Sequence, residues 1–374
     1  ILYFAFISAI GGLHSISIAG EKPLVEQIAI EVTKESREFA FTNKQTAFYY
    51  GETHSDNKSS WQGLNVFAKE FLDDYLIVID SLPLQKIDTR ITTVYPHQLR
   101  RRYNNGVIEK TTLLDSIPVL LVEMSFPNAS KVQVHPKLSD FQNQSDYIIE
   151  YKNDVLLIAR KNHLQKTEKE NYPVRIGISV NCPHDTEFVD LKLENNFSAA
   201  GLKSKERVTN LTIGFAVGDT KEETIELLNN SFNNTLALIE KRKNRMENLL
   251  QETTVKTENK RFDQALMWAK LSMDALIMNQ VTKGIFAGLP WFNNYWGRDS
   301  FISLAGATLV TGKFEEAKMI LTSFAAYQET DDKSKNYGRI PNIVTTTHKS
   351  YNTADGTPRF VLAALDYFKY SGDN

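Results

Sequence analysis

The stretch Gly288-Leu289-Pro290-Trp291-Phe292-Asn293-Asn294-Tyr295-Trp296-Gly297-Arg298-Asp299-Ser300 crowds aromatic rings, amides, a guanidinium and a carboxylate into one short segment. Pyranose rings stack their C–H faces on indole and phenol rings, and their hydroxyls take planar, bidentate partners such as Arg and Asp. Trp291, Trp296, Arg298 and Asp299 are therefore candidate sugar-binding residues. Each has a plainer use when taken singly: Trp and Tyr plug space under loops, and an Arg-Asp neighbour pair is commonly a solvated surface feature. The whole cluster at the entrance to a helix favours a binding site. A second polar segment follows, with Asn342 in Ile340-Pro341-Asn342 and then Tyr351, Asn352 and Asp355 in Tyr351-Asn352-Thr353-Ala354-Asp355.

The elements that must hold these segments read as helices. After Glu258, Phe262, Ala265, Leu266, Ala269, Met273, Leu276 and Ile277 recur as one apolar stripe, which predicts a core-facing helix. Gly288 to Ser300 reads as the loop after it. Phe301 to Val310 is apolar on nearly every side and has to be buried by other helices, whereas Phe314 to Tyr327 is amphipathic; Phe360 to Tyr370 starts a fourth helix. An inner helix followed by an outer one is the repeating unit of a double-layered α-barrel. Loops separated by one helical pair open at the same end of such a barrel, so the two polar segments are expected to line one pocket.

The preceding part differs. From about Glu21 to Val217 the periodicity is near two, in runs such as Tyr75 to Ile79, Arg90 to Tyr95, Val119 to Met124, Asp154 to Ala159 and Arg175 to Val180. Asn104-Asn105-Gly106 between two runs is a hairpin signal. Many short strands without alternating long helices predict an antiparallel β-sandwich. Thr220 with Glu223 three positions on is a capping box that should start a helix, expected to break near Asn229 to Asn234. The expected organisation is a multidomain β + α chain: a signal-like segment over 1–20, a β-sandwich over 21–218, a linker helix region over 219–257, and the first part of an (α/α)6 barrel over 258–374.

Bulk properties narrow the partners. With 374 residues, 42% hydrophobic content and a net charge of -2 without a basic face, the chain is long enough for two cores, and nothing in it points to nucleic acid. No His pair, carboxylate cluster or Gly-rich phosphate loop points to a metal or nucleotide, so hydrolysis without a cofactor is the expected chemistry. Cys182 stands alone, which excludes an intrachain disulfide. Ile1 to Ile10 is apolar and is followed by small residues up to Gly20, like the core and cleavage site of a secretory signal, and too short to span a membrane. An extracytoplasmic location is expected on that reading. If the segment is a buried first strand, the location is cytoplasmic.

The two polar segments also carry a family resemblance. Gly288-Leu289-Pro290-Trp291-Phe292, Trp296-Gly297-Arg298-Asp299-Ser300-Phe301-Ile302-Ser303-Leu304, Leu309-Val310-Thr311-Gly312-Lys313-Phe314 with Glu316-Ala317, Ile340-Pro341-Asn342, and Tyr351-Asn352-Thr353 with Asp355 resemble the amylo-α-1,6-glucosidase domain of glycogen-debranching enzymes, in its bacterial and archaeal arrangement. The resemblance implies an N-terminal β-sandwich followed by an (α/α)6 barrel, and an α-glucan or oligosaccharide substrate. It matches Arg298 and Asp299 to a pair that binds hydroxyls in the cleavage subsite, Trp291, Trp296 and Tyr351 to ring-stacking positions, and Asn352 and Asp355 to polar residues of the next loop.

Inverting hydrolysis of an α-glucosidic bond needs one protonated carboxyl for the leaving oxygen and one carboxylate for the water. Asp299 and Asp355 are the carboxylates of the two clusters, so Asp299 stays open to a catalytic or a purely structural role, with substrate binding preferred. In related barrel glucosidases such as glucoamylases the acid and base are glutamates in later loops, and the chain is expected to be a fragment that lacks them. Thr345-Thr346-Thr347-His348-Lys349 departs from the more usual acidic or glycine residues; His348 reads as an exposed loop histidine or a sugar contact. Two other readings remain: another inverting exo-glucosidase, glucoamylase-like or trehalase-like, and a non-catalytic carbohydrate-binding protein.

Overall fold

A computed structural model describes residues 22–67, 69–138, 147–160, 175–181, 186–190, 200–345 and 348–373. The signal-like segment Ile1 to Gly20 and Cys182 lie outside the described residues. The first half is built from antiparallel sheets. One has nine strands in the order Ile30–Val32, Thr89–Val94, Leu99–Tyr103, Ile108–Leu113, Val119–Ser130, Val208–Gly218, Arg175–Asn181, Val155–Arg160 and Tyr147–Lys152. A five-stranded sheet centres on Val132–Lys137, and a four-stranded one runs from Glu38–Thr42 through Ala47–Glu52 and Gly63–Val66 to Lys69–Leu72. The hairpin expected at Asn104-Asn105-Gly106 forms, with Gly106 at φ 86° and Ile108 opposite Arg102.

Side-chain alternation explains how the sheets stack. Leu120, Val122 and Met124 of the longest strand point into a core shared with Tyr75, Ile77 and Val134 of the five-stranded sheet and with Tyr49 and Leu64 of the four-stranded one. Val119 and Leu121 point the other way, beneath Leu228. Leu228 belongs to the helix α2 (Lys221–Asn233), which follows a four-residue α1 (Leu24–Gln27). A strand buried on both faces reads as a continuous apolar run, which is why this one shows no clean alternation. Gly214 permits the close approach: a Cβ there would stand 2.7 Å from Leu228 Cδ2.

Thr220 caps α2 as the sequence predicts, its Oγ1 accepting from Glu223 N–H at 3.1 Å. The Glu223 carboxylate returns to Asp219 N–H rather than to Thr220 N–H. The helical run breaks at Asn234, and α3 (Thr235–Gln251) and α4 (Lys260–Leu276) follow. Here one expectation holds only in part. Met273, Leu276 and Ile277 of the stripe join the core of the helical part, but Phe262 is exposed, and α4 also buries Leu271 and packs Met267 and Trp268 against Val25, Met246 and Leu250. The reason is a polar anchor: Gln264 Nε2 and Trp268 Nε1 both donate to Ile28 O, at 3.0 and 2.8 Å, which fixes the rotation of the helix.

A second correction concerns Gly288 to Ser300. It is largely ordered structure rather than a loop: the strands Lys283–Gly288 and Phe292–Trp296 pair as a hairpin in a five-stranded sheet with Ile277–Asn279, Ile343–Val344 and Lys349–Ser350. Helix α5 (Gly297–Ala307) begins directly after it, so Arg298 and Asp299 sit in its first turn. Helices α6 (Phe314–Ala325) and α7 (Gly356–Ser371) complete the described chain, and Phe301 of α5 packs edge-on against Phe324 and Phe360. The all-round burial expected of α5 is not observed. Ile302 and, beyond its end, Val310 are exposed, as are Val361, Leu362, Leu365 and Phe368 of α7, because among the described residues no helix covers that side.

Candidate functional site

The hairpin strand Phe292–Trp296 sorts its residues by alternation. Asn293 and Tyr295 turn inward and are buried; Phe292, Asn294 and Trp296 face out. Tyr295 is thereby structural: its hydroxyl accepts from Gln280 N–H at 2.7 Å and lies 2.7 Å from Thr282 O. Trp296 meets the Phe292 ring edge-on with centroids 5.9 Å apart. Trp291, in the turn of the hairpin, is 59% exposed.

Asn342 joins this hairpin to the second polar segment. Buried at 2% exposure, it accepts from Arg298 N–H through Oδ1 at 3.1 Å, donates from Nδ2 to Asn352 Oδ1 at 3.0 Å, and donates its own N–H to Ser350 O at 2.7 Å. Strand pairing puts Trp296 opposite Ile343, one residue on. Gly297 makes the approach possible, since a Cβ there would stand 2.6 Å from Pro341 O. Beyond Asn342, Arg298 Nε lies 3.3 Å from Asp355 Oδ2, with the two side chains 53% and 42% exposed. Arg359 Nε approaches the same oxygen at 3.8 Å.

Arg298, Asn342, Asn352 and Asp355 therefore form one connected group, drawn from two segments that are far apart in the chain. Trp296 flanks it. Asp299 is exposed, and no ion pair engages it among the described residues. Tyr351 is less available than its ring suggests: its hydroxyl donates to Tyr327 O at 3.1 Å, and burial together with the Glu329 charge pushes the phenol up. His348 is exposed. Arg359 was not among the expected residues, although its i,i+4 spacing from Asp355 on a helix is a readable signal. Chemically the group offers guanidinium N–H donors and carboxylate acceptors, the set that hydroxyls on a ring require.

Comparison with known proteins bears on this same region. Residues 233–374 match the family described as amylo-alpha-1,6-glucosidase. They form a glycogen-debranching-type domain. A segment of 106 residues, 27% of the chain, is 36% identical to the glycogen debranching enzyme of Saccharomyces cerevisiae and covers 6% of that protein. Among solved structures, the chain is similar to an inverting mannosidase from Bacteroides thetaiotaomicron, with a TM-score of 0.52 and 12% identity over 88% of this chain and 49% of that one. It is similar at the same TM-score and identity to a bacterial glucoamylase solved with acarbose, over 91% of this chain and 59% of that one. At 12% identity these two show the fold alone: a β domain followed by a helical part. The chain spans about half the length of both structures and a small part of the yeast enzyme.

Proposed function

We propose that the debranching-type domain forms the sugar-holding wall of a glycoside hydrolase that removes α-1,6-linked glucose from glycogen-like or limit-dextrin glucans with inversion. The observation that carries this reading is the half-exposed Arg298–Asp355 pair, with the Arg298 backbone N–H held by buried Asn342. Arg298 and Asp355 hold hydroxyls of the terminal glucose, Asn352 extends the polar rim, and Trp296 and Trp291 stack against ring faces. Asp299 takes a binding role at the N-terminus of α5, where the helix dipole favours an anion, and proton transfer falls to other carboxyl groups. In this reading residues 21–218 are a β-sandwich, 219–257 a helical linker and 258–374 the opening part of an (α/α)6 barrel. Glucose release from limit dextrin or panose by the complete protein tests it; absence of release from every α-1,6-linked substrate overturns it.

A second reading keeps the same wall and changes the bond. A pair that grips ring hydroxyls does not name the linkage, and the fold is shared with a glucoamylase. Relative rates on maltose, trehalose and isomaltose separate the two readings. A preference for maltose or trehalose selects the second.

A further inference from the structure

Outside the sugar wall, one residue of the β domain is held in an unfavourable state on two counts. Lys44 lies in the turn between Glu38–Thr42 and Ala47–Glu52 at φ 68°, a left-handed conformation that Gly or Asn adopts with less strain. Its neighbour shapes that turn: Asn43 Oδ1 accepts from Gln45 N–H and Ala47 N–H, both at 2.9 Å. The Lys44 side chain is only 14% exposed, and burial lowers its ammonium to about 8 despite Asp274. A turn needs neither feature. Backbone strain and a desolvated cation at one position point to what the side chain holds.

It holds the end of α4. Lys44 Nζ donates to Asp274 O and pairs with Asp274 Oδ1 at 3.3 Å, in the last turn of the helix, where a cation meets the negative end of the dipole. The same turn closes on the segment that follows: Thr42 Oγ1 donates to Ala275 O at 2.9 Å, Asn279 N–H to Lys44 O at 3.2 Å, and Asn279 Nδ2 to Gln45 Oε1 at 3.0 Å. The strand Ile277–Asn279 starts there and sets Ile277 opposite Ile285 of Lys283–Gly288, which in turn pairs with the hairpin strand that ends at Trp296. Ile285 O also accepts from Ser300 Oγ at 3.2 Å, in the first turn of α5 beside Arg298 and Asp299. Asp274 is shared with Arg245 at 2.8 Å and Lys313 at 3.3 Å, so removing the lysine does not orphan the carboxylate.

We propose that Lys44 is a positioning residue for the sugar wall, docking the β domain on the end of α4 and so fixing the sheet that carries Trp296 and, through Ser300, the first turn of α5. Its effect on ligand rests on the sugar-holding reading; its effect on the sheet does not. Lys44→Gly and Lys44→Asn remove the ammonium and suit the turn conformation, whereas Lys44→Arg keeps a cation. Amide hydrogen exchange of the whole chain and fluorescence titration with panose are compared across wild type and the three variants. In the Gly and Asn variants, Ile277–Asn279 and Lys283–Gly288 are expected to exchange about fivefold faster or more, the nine-stranded sheet to stay within about twofold, and panose to bind about fivefold more weakly. Arg should restore both. Unchanged exchange in the two strands, a rise spread equally over the β domain, wild-type panose affinity despite faster exchange, or an Arg variant that behaves like Gly would each overturn the proposal. A wild-type chain that leaves panose unbound would instead sink the sugar reading, and the exchange pattern alone would then decide what Lys44 positions.

Discussion

Two arginine–carboxylate pairs in this molecule look alike on paper and differ in every physical respect. Arg101 and Glu109, in the β domain, are each 1% exposed. Arg101 also donates to Thr53 O at 3.0 Å and Glu52 O at 2.7 Å, and Glu109 accepts from Tyr75 and Tyr103 hydroxyls at 2.6 and 2.5 Å. Burial pushes the Glu109 carboxyl up, yet Arg101 and Lys86 outweigh it and hold the group below the usual carboxylate range. Arg298 and Asp355 lie half-open with one contact at 3.3 Å and donors to spare. A pair whose valences are all met can only hold the fold together. One held in place from beneath and unsaturated above can still take a ligand.

The comparison makes graded predictions. Glu109→Ala leaves the Arg101 charge buried and unpaired, and should cost about 3–5 kcal/mol in urea unfolding; a loss under about 1 kcal/mol would mean that water reaches the pair. Next in size is a pH effect. Burial, with the Lys243 and Arg242 charges, lowers His97 to about 3, so the folded protein keeps it neutral while the unfolded chain protonates near 6.5. Stability from His97 is then complete above about pH 6.5 and is lost as pH falls toward 3, by about 2 kcal/mol between pH 7 and pH 5. In His97→Gln that slope should flatten.

Asn342→Ala sits between the two halves of the comparison, since it removes a buried amide that serves the site. About 1–3 kcal/mol of stability should go, because Arg298 N–H loses its acceptor, and panose binding should weaken as Arg298 loosens. The smallest stability change is expected for Arg298→Ala, within about 1 kcal/mol as for other exposed ion pairs. Its effect on panose affinity should nonetheless be the larger one, tenfold or more by fluorescence titration. An Arg298→Ala protein that is destabilised like Glu109→Ala and binds panose normally would erase the distinction.

Much of the site was legible because its chemistry is local. Indole rings and an Arg-Asp pair next to a helix start are visible in one window, and Asp355 of the second polar segment was expected near them, where the Arg298–Asp355 contact has it. Other features were not. Gly288 to Ser300 reads as a loop by its Gly, Pro and Asn content, yet it pairs as strands because Val344 and Ile343, some fifty residues on, supply the edge. The stripe on α4 pointed Phe262 inward, whereas two hydrogen bonds to Ile28 O turned it out.

The sequence by itself determined the division into a strand-rich half and a helical half, the cap at Thr220, the turn at Gly106 and the residue types of the sugar-like cluster. These depend on backbone preferences and side-chain chemistry within a few residues of each position. Only the tertiary structure decided that Asn342 is the buried joint of the candidate site and that Arg298 faces Asp355. Those outcomes depend on contacts between residues distant in the chain, and such contacts leave no local periodicity to read.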